Sequence, residues 1–576
     1  MKPNSAFYTL HLTFAIAMAM ASAAAGVQVH SETKDGKTVR WFEEMVPMRD
    51  GTKLYTYGAL PPEGEKCAIV FARSPYVKEE RVDMAAYARS QQKTLARGYA
   101  YVHQHVRGTG MSEGDWVAYV AERDDGLATL EWIRRLPHYR GDIFLTGGSY
   151  CASVHWSYLG TNPPDVKGAV LTVQDVNRYN IHYRNGHYKS ALHGNWLVKG
   201  YKKKNHSLKR DPSVKFTDLP LKGFSERRLG ERVADLEDTW QHPRPEDAWW
   251  RTPGTAGGEF RRALLDSTMP VMLVTGFYDI YTEGIFDMWR ELPPERRACC
   301  ALAVDAFDHS GRRRKGVKPG SDVYFPGGSR HDEGAVDSAL DWFNWCLGKG
   351  KLKHVRPGET RWYSLWDNEW RSAPEMTDGK GTLTFAFTHG RHLAVAPIPQ
   401  SEKPIDFCYD PSSPPTFPGA GCLGFGGMRE QPEPDFRDDV VSFVSGPFPK
   451  KYEVRGRMKA RLAVASDCDD TAFFMRVSIR KHDGKWYTLR DDIKSISWDN
   501  ANYAPTSETT VEYTLSDHAF AIEKGDCLRV DVAGANAEAF IPHTNFKGPF
   551  AEQSRSRKAR NSIFPTRSLL TLPIDE

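Results

Sequence analysis

Ser149 follows the short apolar stretch Ile143-Phe144-Leu145, with Gly147 and Gly148 before it and Tyr150-Cys151-Ala152 after it. A serine nucleophile on a sharp strand-to-helix turn needs small neighbours of this kind, because the turn crowds the residues two before and two or three after it. Cys151 stands where the formal pattern has glycine, and a plain Gly-Ser loop would read the same over these residues alone. Two further residues make the chemistry specific. Asp279 lies just past the apolar strand of residues 271–276, and His309 just past "ALAVDAF". Serine, acid and histidine thus occur in the chain order that an α/β hydrolase requires. Neighbouring parallel strands end on one rim of a sheet, where the three groups can meet. His309 would take the Ser149 proton, and Asp279 would orient the imidazole and stabilise its charged form. A loop histidine and a helix N-cap are the plain readings of His309 and Asp279. Asp308 and Asp287 are rival acids, although Asp308 adjoins His309 in sequence and is poorly placed to orient its ring.

The elements needed to carry these residues can be read around them. Apolar strands are expected at 67–73, 99–106, 168–173 and 270–276, with helical spacing at 84–97 and in "RDDGLATLEWIRRLP", where Leu127, Leu130, Ile133 and Leu136 share a face and Pro137 follows the stop. A helix near Glu283–Leu292 and another in "DSALDWFNWCLG" follow. Strand–helix alternation predicts an α/β domain with a mainly parallel sheet over residues 26–175 and 263–357. Residues 176–262 interrupt it with Lys, His, Tyr and Trp, and predict an inserted helical cap. From 358 to 576 alternating segments such as "TLTFAFT", "AFFMRVSIR" and "CLRVDVAG" lie between turns, which predicts a separate all-β domain.

The chain resembles the cocaine esterase-like serine hydrolases, which share their fold with the X-Pro dipeptidyl peptidases and the α-amino acid ester hydrolases. The likeness rests on "RSPY", "HVRGTGMSEG", "DDGLATLEWI", "GGSYCA", "GFYD" and Asp308-His309, and in the second half on "YDPSSPP", "RDDVVSFVS", "SDCDDTAF" and "HTN". It implies an α/β-hydrolase fold with a helical cap and a C-terminal jelly-roll. It also implies Ser149, Asp279 and His309 as the triad, and an oxyanion hole made by the Tyr76 hydroxyl and the Tyr150 backbone N–H. Two donors aimed at a developing negative oxygen suit acyl transfer, one such donor being worth about 3 kcal/mol. Arg107-Gly108-Thr109-Gly110 reads as a structural turn. His105 replaces an aspartate common in the family, outside any triad role.

Composition narrows the rest. A net charge of +4 on 576 residues gives no nucleic-acid footprint. No zinc-type Cys/His spacing or phosphate loop occurs, so no metal or organic cofactor is expected. Residues 1–25 have the lysine, apolar run and Ala23-Ala24-Ala25 of a cleaved export signal, so a secreted or periplasmic enzyme without a membrane anchor in its mature form is expected. The nine cysteines offer Cys408 and Cys422 as a local pair, whereas Cys151 reads as a packing residue. The substrate class is a small-molecule ester or amide. An X-Pro dipeptidyl aminopeptidase and a catalytically silent carbohydrate-binding protein are the rivals. Asp279 is followed by Ile280, Tyr281 and Thr282, without the acidic pair that binds a free amine in the α-amino acid ester hydrolases. Ten Lys or Arg between Arg178 and Lys215 read as a solvated face or as a guide for anionic substrates.

Overall fold

The computed structural model describes residues 27–77, 82–200, 216–252, 259–309, 325–328, 335–395, 403–421 and 426–575. The expected signal segment, Cys422 and the cap residues 201–215 lie outside them.

The strands of the first domain are apolar at nearly every position because both sheet faces are covered. Side chains alternate across a strand, so Ile69, Phe71, Ile143, Leu145, Val271 and Leu273 join one core. Their neighbours Ala68, Val70, Phe144 and Met272 join a second core on the other face. Each large apolar side chain fully buried this way contributes about 1.5–3 kcal/mol.

The first strands are β1 (Val29–Lys34), β2 (Lys37–Pro47), β3 (Lys53–Leu60), β4 (Cys67–Ser74), β5 (Tyr99–His105), β6 (Tyr139–Gly148) and β7 (Val166–Thr172). The cap adds a hairpin, β8 (Tyr183–Arg184) and β9 (His187–Tyr188). The main sheet resumes with β10 (Val271–Tyr278), β11 (Cys300–Asp308), β12 (Thr360–Ser364) and β13 (Glu369–Ala373). Its eleven strands run in the order β1-β2-β3-β5-β4-β6-β7-β10-β11-β12-β13. From β5 to β12 the pairings are parallel, and antiparallel strands flank them at both ends. Helices α1 (Glu122–Ile133) and α2 (Tyr150–Leu159) serve the first core, and α4 (Ala339–Cys346), which follows α3 (Thr282–Glu291), places Trp342 and Phe343 in the second. A Ser338–Asp341 capping box starts α4.

Two strands lie past the boundary expected at residue 357: β12 extends β11 in parallel and β13 folds back on β12. The second domain's strands therefore begin at Gly381–Phe387 and end at Leu569–Asp575, in one fourteen-stranded system. The alternating segments read from sequence all form strands there. The cap is mainly short helices, among them Arg178–His182, Asn195–Gly200, Phe224–Leu229 and Ala234–Thr239. Among the described residues no helix is long and apolar enough to cross a membrane.

The three parts are tied by charge. Arg184 of the cap makes a two-pronged contact with Asp492 of the β domain, at 2.8 and 2.7 Å, and pairs with Glu283 of α3. The Tyr278 hydroxyl at the end of β10 donates to the Thr488 carbonyl at 3.0 Å and lies 3.2 Å from His518 Nε2.

Candidate active site

Four loops leave the carboxyl ends of parallel strands on one rim. β6 delivers Ser149, β10 delivers Asp279, β11 delivers His309 and β4 delivers Tyr76. His309 Nε2 lies 3.0 Å from Ser149 Oγ, and His309 Nδ1 lies 2.7 Å from Asp279 Oδ2. The other carboxylate oxygen accepts the Tyr281 N–H at 2.8 Å. Asp279 is 4% exposed, so its charge is directed at the imidazole with little screening by water. Neither rival acid does this. Asp287 pairs with Arg457 and Arg290, and the imidazole takes Asp279 rather than its sequence neighbour Asp308.

The turn at Ser149 is strained, with φ 56° and ψ −134°, a conformation costing a non-glycine residue about 1–3 kcal/mol. Its N–H donates to Thr172 O at 3.0 Å, and its carbonyl accepts from Ala152 N at 2.8 Å. A Cβ at position 147 would sit 2.1 Å from the Cys151 carbonyl oxygen, which explains the glycine there. Cys151 is the packing residue its sequence position suggests: burial pushes its thiol up to about 11, despite a hydrogen bond with Ser74. Arg107 pairs with Asp50 and Asp125, and a Cβ at Gly108 would meet Trp116 N at 2.1 Å. That stretch is structural. His105 is fully buried, with Met111 N 3.2 Å from its Nδ1.

The Tyr150 N–H, on the residue that follows the nucleophile, is the first of the α2 N–H groups that no helical carbonyl takes. The Tyr150 side chain turns away: its hydroxyl donates to Glu122 Oε1 at 2.7 Å and accepts from Tyr119 N at 2.8 Å. Glu122 is 3.1 Å from Arg73, and burial raises its carboxyl above the usual range despite that cation. This buried chain of groups, fixing the first turn of α2, was not read from sequence, although Arg73 belongs to "RSPY". Tyr76 as a whole residue is 47% exposed, yet it lines the Ser149 pocket and its hydroxyl accepts from Trp196 Nε1 at 3.1 Å. Burial of the hydroxyl raises its pKa, so it stays a protonated donor.

The Ser149 pocket holds about 260 Å³ and is lined by Tyr76, Tyr119, Tyr150, Leu192, Trp196, Tyr281 and His309. Sequence reasoning missed Tyr119, Leu192, Trp196 and Tyr281; the aromatic richness of the cap was a signal for Trp196 alone. A larger cavity of about 550 Å³ lies between the cap and the β domain, beside Trp240, Trp498 and His543. Ser497 and His543 on its wall both turn to Asp470, and among the described residues there no serine hydroxyl is bonded to an imidazole, so the chemistry belongs to the smaller one. Of the ten cap cations, Arg178 is buried with its guanidinium 3.1 Å from the Tyr119 ring centre. Arg184 binds Asp492, and Lys189 donates to Asn180 O at 2.5 Å. These three face inward; the side chain of Lys199 and the cations from Lys202 to Lys215, seven of the ten, lie outside the described residues. Among the described residues no cluster could hold a metal ion.

A nucleophile turn between β6 and α2, with acid and histidine beyond later strands, defines an α/β-hydrolase site. Comparison with known proteins agrees. Residues 50–311 match the X-Pro dipeptidyl-peptidase (S15) family, and residues 396–564 match the X-Pro dipeptidyl-peptidase C-terminal non-catalytic domain. Cocaine esterase from Rhodococcus sp. is 23% identical over 558 residues, covering 88% of this chain and 93% of that one. A putative serine esterase of Mycobacterium bovis is 20% identical over 528 residues, covering 79% and 81%. Among solved structures, an aminopeptidase from a marine sediment archaeon, Thaumarchaeota archaeon, superposes with a TM-score of 0.78 at 17% identity, covering 93% of this chain and 97% of that one. An α-amino acid ester hydrolase does so with a TM-score of 0.75 at 17% identity, covering 93% and 96%. The chain is a serine hydrolase whose catalytic domain matches the S15 family, whose all-β second domain matches the corresponding C-terminal domain, and which is similar to cocaine esterase.

Proposed function

We propose that the protein is an esterase that cleaves compact, uncharged acyl esters through an acyl-enzyme on Ser149. Ser149 Oγ attacks the acyl carbonyl while His309 Nε2 takes its proton, and Asp279 stabilises the resulting imidazolium. The carbonyl oxygen becomes an oxyanion held by the Tyr150 N–H and the Tyr76 hydroxyl. Collapse breaks the ester bond, and His309 returns the proton to the departing alcohol. Water then attacks the acyl-enzyme by the same steps, with His309 again as base, and releases the acid.

The observation that carries this reading is the lining of the pocket. Its described wall is aromatic and aliphatic and holds no carboxylate, so a free ammonium group would enter it without a counter-charge. That favours simple esters over the free-amine substrates of an aminopeptidase. A panel of p-nitrophenyl esters beside Ala-Pro and Gly-Pro anilides tests it, with Ser149→Ala as control. Esters should be cleaved much faster, and Ser149→Ala should abolish turnover and fluorophosphonate labelling while the fold is kept. Preferred cleavage of the X-Pro anilides would overturn the esterase reading, and full activity in Ser149→Ala would overturn the site. Export is part of the proposal, supported by the lysine and apolar run of residues 1–25; N-terminal sequencing of the mature protein should begin near Gly26.

A further inference from the structure

The cap supplies a group that the mechanism above does not name. Trp196, on the cap helix Asn195–Gly200, directs its indole N–H at the Tyr76 hydroxyl oxygen, 3.1 Å away. An indole N–H can donate but not accept, whereas a phenol does both. The contact therefore has one possible direction. Tyr76 must accept from Trp196, and its own proton is turned away from the indole, on the side of the Ser149 pocket that it lines. Trp196 is itself held by rings: Trp116 and Tyr150 at 5.2 Å between centroids, and Tyr119 at 6.0 Å. Tyr150 carries the other oxyanion donor on its backbone. The indole thus meets the Tyr76 hydroxyl and packs against the ring of the residue whose backbone carries the other donor.

We propose that Trp196 is a positioning residue for the oxyanion hole, fixing the Tyr76 hydroxyl so that its proton faces the developing oxyanion. The cap then has a part in the chemical step besides walling the pocket. An interaction that improves aim at charge appearing in the transition state affects kcat more than KM. The inference rests on Tyr76 acting as an oxyanion donor, and the test separates the two claims.

Trp196→Phe keeps an aromatic wall and removes the N–H. With p-nitrophenyl esters, and rates normalised to sites titrated by a fluorophosphonate, it should lower kcat about 3- to 10-fold, the worth of one hydrogen bond. KM and the unfolding temperature should change little. Tyr76→Phe should lower kcat further, and the double variant should be no slower than Tyr76→Phe alone, because the indole then has no hydroxyl to aim. A double variant that loses the same factor again, or a Trp196→Phe enzyme altered in KM alone, would show Trp196 to be a wall residue. A Tyr76→Phe enzyme with unchanged kcat would remove the oxyanion role of Tyr76 itself, and this inference with it.

Discussion

Replacing Gly147 by alanine tests how rigidly the nucleophile is held. The new Cβ would lie 2.1 Å from the Cys151 carbonyl oxygen, 2.4 Å from its carbon and 2.9 Å from Ala152 N. All three are backbone atoms in the first turn of α2, so no side chain can swing aside. Real contacts of this kind essentially never fall below 3.0 Å, so the turn must open by about 1 Å. A misplacement of that size at reacting groups costs on the order of 100-fold in rate, and the forced fit costs about 1–3 kcal/mol of stability. The Ser149 Oγ to His309 Nε2 distance, 3.0 Å in the native site, is what the displacement lengthens. The assay is kcat per titrated site on a p-nitrophenyl ester, with circular dichroism to confirm the fold. A folded Gly147→Ala enzyme with native kcat would refute the reasoning, because it would mean that the α2 backbone yields without disturbing Ser149.

Two other substitutions probe the frame around the site. Burial raises the Asp175 carboxyl from 3.8 to about 7. As pH rises the unfolded chain releases this proton before the folded one does, so stability is lost between about pH 4 and pH 7. Asp175→Asn should remove that loss, gaining over wild type by up to about 4 kcal/mol across the window; a stability difference that does not vary with pH in denaturant titrations would contradict the assignment. Arg184→Met should destabilise the protein by about 3 kcal/mol by stranding Asp492 and partly stranding Glu283, seen as a lower unfolding temperature, and a variant as stable as wild type would show the triad of charges to be dispensable.

The parallel core was legible because its strands must be apolar on both faces, as in "CAIVFAR" and "VMLVTG", and because reactive residues follow their ends. The second domain was legible from period-two alternation. Strands β1 to β3 were not read: β1 is almost wholly exposed and has no apolar face to betray it. β12 and β13 carry the alternating texture of the domain that follows, so the boundary was set too early. Pairing partners that decide membership of a sheet lie far away in sequence. The same holds for the pocket. Ser149, Asp279 and His309 announce themselves by local signals, whereas Trp196 and Tyr119 are ordinary aromatic residues until the cap folds over the rim. Arg178, Arg184 and Lys189 looked like a charged surface because spacing does not reveal which cations will find internal partners.

The contact of Tyr278 with the second domain gives the order of synthesis a meaning. Tyr278 immediately precedes Asp279, and its hydroxyl is held by Thr488, 210 residues later, and by His518, 240 residues later. A growing chain thus contains its serine, aspartate and histidine long before it contains the groups that brace the loop between them. A chain that ends before Thr488 carries the reactive residues in a frame without these contacts, and is expected to hydrolyse esters more slowly than the finished polypeptide.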